Sequence, residues 1–164
     1  MAIHAIGDRA IEQAIGVLER LTADGLRFPL ARLEHVQFID EAQARRAKDL
    51  GLVLCMQPNF SSDSRDYADR LAADWLARNN PFRMLIDGAG FVPGQDLIFG
   101  SDGMPHGVGP ALQWSLFPFH PGQRLSLEEL VAGYAPDPSG PGHSLVEVDE
   151  AQRQVKLVVS GRGI

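Results

Sequence analysis

The stretch Ile98-Phe99-Gly100-Ser101-Asp102-Gly103-Met104-Pro105-His106 decides how this chain reads. A short apolar run, from about Asp96 to Phe99, ends in Gly-Ser-Asp and then turns through Gly and Pro. A strand therefore delivers a carboxylate to its C-terminal end and stops there. Two earlier stretches repeat the plan with an imidazole: Ala2-Ile3-His4-Ala5-Ile6-Gly7-Asp8 and Ala31-Arg32-Leu33-Glu34-His35-Val36-Gln37. Each run closes on a polar group just before a helical pattern begins. Two histidines and an aspartate at the ends of different strands converge if the strands are parallel neighbours, and neutral imidazole with carboxylate is a donor set for a divalent metal.

Between these points strand and helix alternate. From Arg9 to Ala23 the residues Ala10, Ile11, Ala14, Ile15, Leu18 and Leu21 recur at helical spacing, which predicts one apolar helix face. Asp8 is the expected N-cap and Asp24-Gly25 the stop. A second strand is expected at 31–34, then a helix over 41–50 opened by Asp40 and closed by Gly51. Leu52 to Met56 is apolar throughout and too short for a helix, which predicts a strand buried on both faces of a parallel sheet. Gln57-Pro58-Asn59 ends it. A polar loop over 60–66, one helix over 67–78 and another opened by Pro81 precede the fourth strand. After Asp102 come a Gly- and Pro-rich loop, a short helix from Ala111 to about Phe117, and a capping box, Ser126 with Glu129, for a helix over 127–132. Asp-Pro-Ser-Gly-Pro-Gly at 137–142 reads as a linker, and 145–148 with 154–159 as a hairpin outside the main sheet.

The expected division is a body over 1–135 and a linker with hairpin over 136–164. The fold class is α/β with a parallel sheet and right-handed crossovers. Four such units are too few to close a barrel of eight, and a sheet of four leaves two edges with unpaired backbone that recruit partners.

At 164 residues and net charge −6, the chain is long enough for its own core and has no basic block to track a phosphate backbone, so nucleic acid is excluded as a partner. No apolar stretch approaches the ~18 residues of a membrane span and no leader pattern opens the chain, so the expected compartment is the cytoplasm. The single cysteine, Cys55, lies in the apolar run and reads as a small buried hydrophobe. His120 and His143 read as exposed loop residues. Gly103, Gly107 and Gly109 lack the Lys-Ser/Thr of a phosphate loop.

His-Ala-Ile-Gly-Asp-Arg-Ala at 4–10, Arg-Leu-Glu-His-Val-Gln at 32–37, Gln-Pro at 57–58 and Gly-Ser-Asp at 100–102, in this order, resemble the second half of the metal-dependent amidohydrolases, specifically the amidohydrolase 3 group. The likeness runs from residue 2 to about 110. It implies a partial (β/α)8 TIM barrel, about four C-terminal units, followed by a remnant of a small β domain. It also implies a hydrolase that cleaves non-peptide C–N bonds, amide or cyclic amide, with one or two divalent metals, zinc foremost. The metal ligands then fall on His4, His35 and Asp102, with Asp102 also the catalytic proton acceptor. His106 and Gln57 become substrate contacts. The family's first-strand His-x-His pair has no counterpart here, and Phe60 stands where many relatives carry histidine. Met1 begins a strand without lead-in, so the expected partner is a missing N-terminal half-barrel, or a second copy of the chain, beside a small amide-type substrate. The other reading is a non-catalytic half-barrel that acts by association.

Overall fold

The computed structural model describes residues 1–103, 108–134 and 144–159. Strands β1 (Ala2–Ala5), β2 (Arg32–His35), β3 (Val53–Met56) and β4 (Leu97–Phe99) form one parallel sheet in sequence order. In register, Ala5 lies opposite His35, Glu34 opposite Cys55, and Met56 opposite Phe99. The carboxyl ends of all four strands therefore reach the same rim. The expected strand–helix alternation and parallel pairing are present.

Helix α1 (Asp8–Ala23) buries Ile11, Ala14, Ile15 and Leu18 of the stripe read from the sequence, while Ala10 is exposed and Leu21 half-buried. Its N-cap is Gly7 rather than Asp8, which sits inside the first turn with its carboxylate on the Arg9 amide at 2.6 Å. The carboxylate still lies at the positive end of the helix dipole. In α2 (Glu41–Asp49) the expected start is present in full: Asp40 and Gln43 form a reciprocal capping box. Arg46 ties the two helices together, with Nη1 donating to Glu12 at 2.7 Å and Nε to Glu19 at 2.7 Å, and both carboxyls are held below their ordinary range by that guanidinium.

Between β3 and β4 the expectation of one helix over 67–78 fails. The chain makes a 3-10 turn at Pro58–Ser62, a single turn α3 (Asp63–Asp66) and a short α4 (Ala73–Ala77). Arg65 through Arg70 are exposed throughout, so no apolar face holds a longer helix in place. The segment after Pro81 is helical but ends in a π turn at Met84–Gly88. Helix α5 (Val108–Leu116) starts earlier than expected, and α6 (Leu127–Tyr134) opens on the expected box, Glu129 N–H on Ser126 Oγ at 3.1 Å and Ser126 N–H on Glu129 Oε2 at 2.8 Å. The antiparallel hairpin β5 (Ser144–Asp149) and β6 (Gln154–Val159) stands apart from the main sheet and docks on α5. There Gln113 accepts from Val155 N at 3.0 Å and donates to Arg153 O at 2.8 Å. The expected linker falls mostly on 135–143, outside the described residues. Among the described residues no helix is long and apolar enough to cross a membrane.

The sheet is covered on one side. Ala5, Leu33, Leu54, Met56, Leu97 and Phe99 join the helices in one buried core. The alternate residues His4, Arg32, Glu34, Val53, Cys55 and Ile98 are exposed or half-buried. This corrects the expectation for β3: Val53 and Cys55, apolar as a two-sided strand requires, are only partly covered. Parallel sheets are normally covered on both faces, so the sequence of β3 is written for a neighbour on this open side.

Candidate functional site

Four polar groups gather where the strands end, two from the strands themselves and two from the segments after β3 and β4. The rings of His4, in β1, and His35, the last residue of β2, stand edge to face with centroids 4.4 Å apart. Asp102, three residues beyond β4, places Oδ2 at 3.8 Å from His35 Nδ1. Gln57, directly after β3, brings Oε1 to 2.7 Å from the same nitrogen. The structure thus gathers His4, His35 and Asp102 at one end of the sheet. His35 is 8% exposed, whereas the Asp102 side chain is 52% exposed and reaches toward solvent.

Strict alternation along β2 would turn His35 to the same side as Leu33, under the helices. The backbone prevents this. His35 and Val36 have φ of 72° and 43°, left-handed values that swing the His35 imidazole back toward His4 on the open face. Such angles are rare for non-glycine residues and rarest for β-branched ones, and cost about 1–3 kcal/mol each. Hydrogen bonds hold the kink: Val36 N–H donates to Ala5 O at 2.9 Å and Phe38 N–H to Ile6 O at 3.2 Å. Asp102 is also left-handed, at φ 48°. Two of the three converging side chains therefore sit on strained backbone, as groups at functional sites often do.

The proton on His35 can be assigned. Gln57 Nε2 donates to Cys55 O at 3.2 Å, which orients the amide with Oε1 toward the imidazole. An oxygen only accepts, so Nδ1 carries the hydrogen and Nε2 keeps its lone pair. Gln57 is 4% exposed and both ends of its amide are engaged inside the protein. In this structure the expected substrate contact Gln57 touches His35. His106, the other expected substrate contact, lies outside the described residues. His120, expected to be exposed, buries Nε2 without a hydrogen-bond partner and packs on Phe119 with ring centroids 5.1 Å apart.

On the open face, Cys55 lies between Glu34 and Ile98. Burial, reinforced by a hydrogen bond to Glu34, pushes its thiol up to about 12, so it stays protonated at neutral pH and is no nucleophile. Arg32 pairs with Glu34 on the same face. Behind the rim, Gln37 Nε2 donates to Asp63 Oδ2 at 2.9 Å and to Asn79 Oδ1 at 2.8 Å. The sequence reading missed this buried amide cluster. Asn79-Asn80 before Pro81 signals only a turn, and the partners lie far away along the chain.

Burial raises the Asp63 carboxyl above its ordinary 3.8, with a smaller push from Asp66 and an opposing hydrogen bond from Gln37. A carboxyl whose folded pKa is raised favours the folded state most below 3.8, and that contribution is lost as pH rises through the raised value. Asp63→Asn therefore stabilises the chain at pH 7, by about 0.5 kcal/mol or less at this half-exposed position. Its advantage over the parent vanishes below pH 3.8, the ordinary value. Thermal unfolding at pH 7 and pH 3.5 checks both points, and a lower melting temperature for Asp63→Asn at pH 7 contradicts the sign.

YtcJ of Bacillus subtilis (strain 168), named as an amidohydrolase, is 33% identical over 87 residues, which cover 52% of this chain and 16% of that protein. Protein LONG AFTER FAR-RED 3 of Arabidopsis thaliana is 32% identical over 91 residues, 54% of this chain and 16% of that protein. The chain thus spans about a sixth of the length of these curated relatives. Among solved structures, an uncharacterized metal-dependent hydrolase from Pyrococcus furiosus superposes with a TM-score of 0.64 at 25% identity, over 81% of this chain and 27% of the other. A second, from Pyrococcus horikoshii OT3, gives 0.54 at 26% identity, over 70% and 22%. The family profile described as the amidohydrolase family matches residues 1–139, which is most of the sequence. This chain belongs to the amidohydrolase family.

Proposed function

We propose that residues 1–135 supply the C-terminal half of a (β/α)8 barrel, with 136–164 a remnant of a small β domain, and that the completed barrel is a cytoplasmic hydrolase of non-peptide C–N bonds. The substrate is a small amide or cyclic amide, and the cofactor a divalent metal, zinc in the first instance. The observation that carries this reading is the convergence of His4, His35 and Asp102 on one rim of a chain of this family.

The donors fit a metal in kind. His35 has its proton on Nδ1 and a free lone pair on Nε2, His4 is exposed beside it, and Asp102 offers a half-exposed carboxylate. Among the described residues no three His, Cys, Asp or Glu side chains stand at metal-holding spacing. When bound, the metal supplies a water acidic enough to react near neutral pH. Asp102 takes the proton from the attacking water and passes it to the leaving nitrogen. His4 and His35 would hold the metal or position its water, and Gln57 keeps the His35 ring from turning.

The open face of the sheet and its two edge strands, β1 and β4, argue for a partner that carries the other strand–helix units. The test is turnover of a panel of N-acyl and N-formyl substrates with added Zn²⁺, by the chain alone and after co-expression with the corresponding first four units of a relative. The expected result is negligible turnover alone and activity on complementation, abolished by Asp102→Asn. Robust turnover by the lone chain overturns the half-site reading and points to a barrel built from two copies. A stable complex without turnover on any substrate favours association without catalysis.

A further inference from the structure

The β3–β4 ladder ends at Met56 and Phe99, short of Gln57 and Asp102, so side chains as well as backbone bonds set the relative placement of the segments beyond it. Two consecutive asparagines provide much of it. Asn79 and Asn80 are each 2% exposed and lie far from the rim residues in sequence. Asn79 Oδ1 accepts from Gln37, two residues past His35, while its Nδ2 donates to Phe60 O at 3.0 Å and to Ser64 Oγ at 2.9 Å in the loop past Gln57. Asn80 Nδ2 donates to the Gln57 carbonyl at 3.0 Å, and its own N–H donates to Gln37 O at 3.0 Å. One pair of residues thus grips both the loop that carries His35 and the loop that carries its hydrogen-bond acceptor. Asn80 does so from a left-handed backbone, φ 51°.

A space this buried is filled at lower cost by apolar side chains, because each unpaired amide group loses about 1–3 kcal/mol on burial. What amides add is direction. The bonds at Asn79 and Asn80 have fixed donors and acceptors, and reversing any one leaves a buried group unmatched. We infer that Asn79 and Asn80 are positioning residues for the His35 imidazole. By locking the loops after β2 and β3 against each other, they hold Gln57 Oε1 on Nδ1 and so set which ring nitrogen carries the proton. The relevance of that nitrogen to a metal rests on the function proposed above, but the positioning itself does not.

The experiment therefore reads the tautomer directly. In the full chain at pH 8, nitrogen-15 spectra of the histidine rings should show His35 almost wholly in the Nδ1–H form, and the Asn79 and Asn80 carboxamide protons should exchange slowly with solvent. Asn80→Asp keeps the size and tolerates the left-handed backbone, but cannot donate to the Gln57 carbonyl. It should turn His35 into a mixture of both tautomers and lower Zn²⁺ affinity by about 10–100-fold, as loss of an orienting partner does. Asn80→Gly, which keeps the backbone but removes the side chain, should give the same mixture. A folded variant with His35 unchanged overturns the inference. So does an Nε2–H tautomer, or freely exchanging asparagine amides, in the unsubstituted chain, even if every variant fails to fold. Absence of Zn²⁺ binding by the complemented barrel together with the expected tautomer shift counts against the metal reading and leaves the positioning intact.

Discussion

His35→Ala lowers the Zn²⁺ affinity of the complemented barrel by more than the 10–100-fold typical of a lost orienting partner, because it removes a donor rather than its support. The imidazole is central to the cluster: His4 packs edge-on against it, Gln57 binds Nδ1 at 2.7 Å, and Asp102 Oδ2 stands 3.8 Å from the same atom. Its loss also leaves Gln57 Oε1 buried without its partner. His35→Ala should nevertheless fold, since the side chain lies at the end of β2 and the kink is held by backbone bonds from Val36 and Phe38. Calorimetric titration with Zn²⁺, alongside circular dichroism to confirm folding, measures the effect. A folded His35→Ala protein that binds Zn²⁺ as tightly as the parent removes His35 from the ligand set.

Gly133→Ala destabilises the chain although it lies within α6, where helix propensity alone favours alanine over glycine by about 1 kcal/mol. A Cβ at this position would stand 2.5 Å from both Cδ2 and Cε2 of Phe99. The Phe99 ring is 6% exposed and packs edge to face on Phe82 with centroids 5.5 Å apart, so it has little room to retreat. Overpacking of this kind typically costs about 1–3 kcal/mol, enough to offset the propensity gain and leave a net loss of up to about 2 kcal/mol. Because Phe99 ends the strand that leads to Asp102, the same substitution should disturb the rim. Denaturant unfolding decides the sign, and a Gly133→Ala chain more stable than the parent shows that β4 and α6 are not so closely packed.

What the sequence made legible were features whose cause is local. The apolar stripe of α1, the cap at Asp40, the box at Ser126 and the turn that follows each short apolar run all announce themselves within a few residues. The convergence of His4, His35 and Asp102 followed from parallel strand order, because neighbouring strands bring equivalent ends together. Three features could not be read in the same way. Nothing in His35-Val36 signals a left-handed backbone, since a β-branched residue argues against one, and the kink exists only because β1 supplies acceptors for it. One helix was expected over 67–78, but helix length is set there by the lack of a surface to pack on. The amides of Gln37, Asn79 and Asn80 pair across the loops after β2 and β3, and no local pattern marks such partners.

The central claim is that this chain contributes His4 and His35 to a metal site completed by strands it does not carry. The most direct test labels histidine with nitrogen-15 in this chain only, joins it to an unlabelled polypeptide bearing the first four strand–helix units, and adds Zn²⁺ in equimolar amount. The account predicts that the ring nitrogens of His4 and His35 shift on Zn²⁺ addition, that His120 and His143 do not, and that Asp102→Asn weakens the response. Zn²⁺ that binds the complemented barrel while leaving both His4 and His35 unmoved would contradict it.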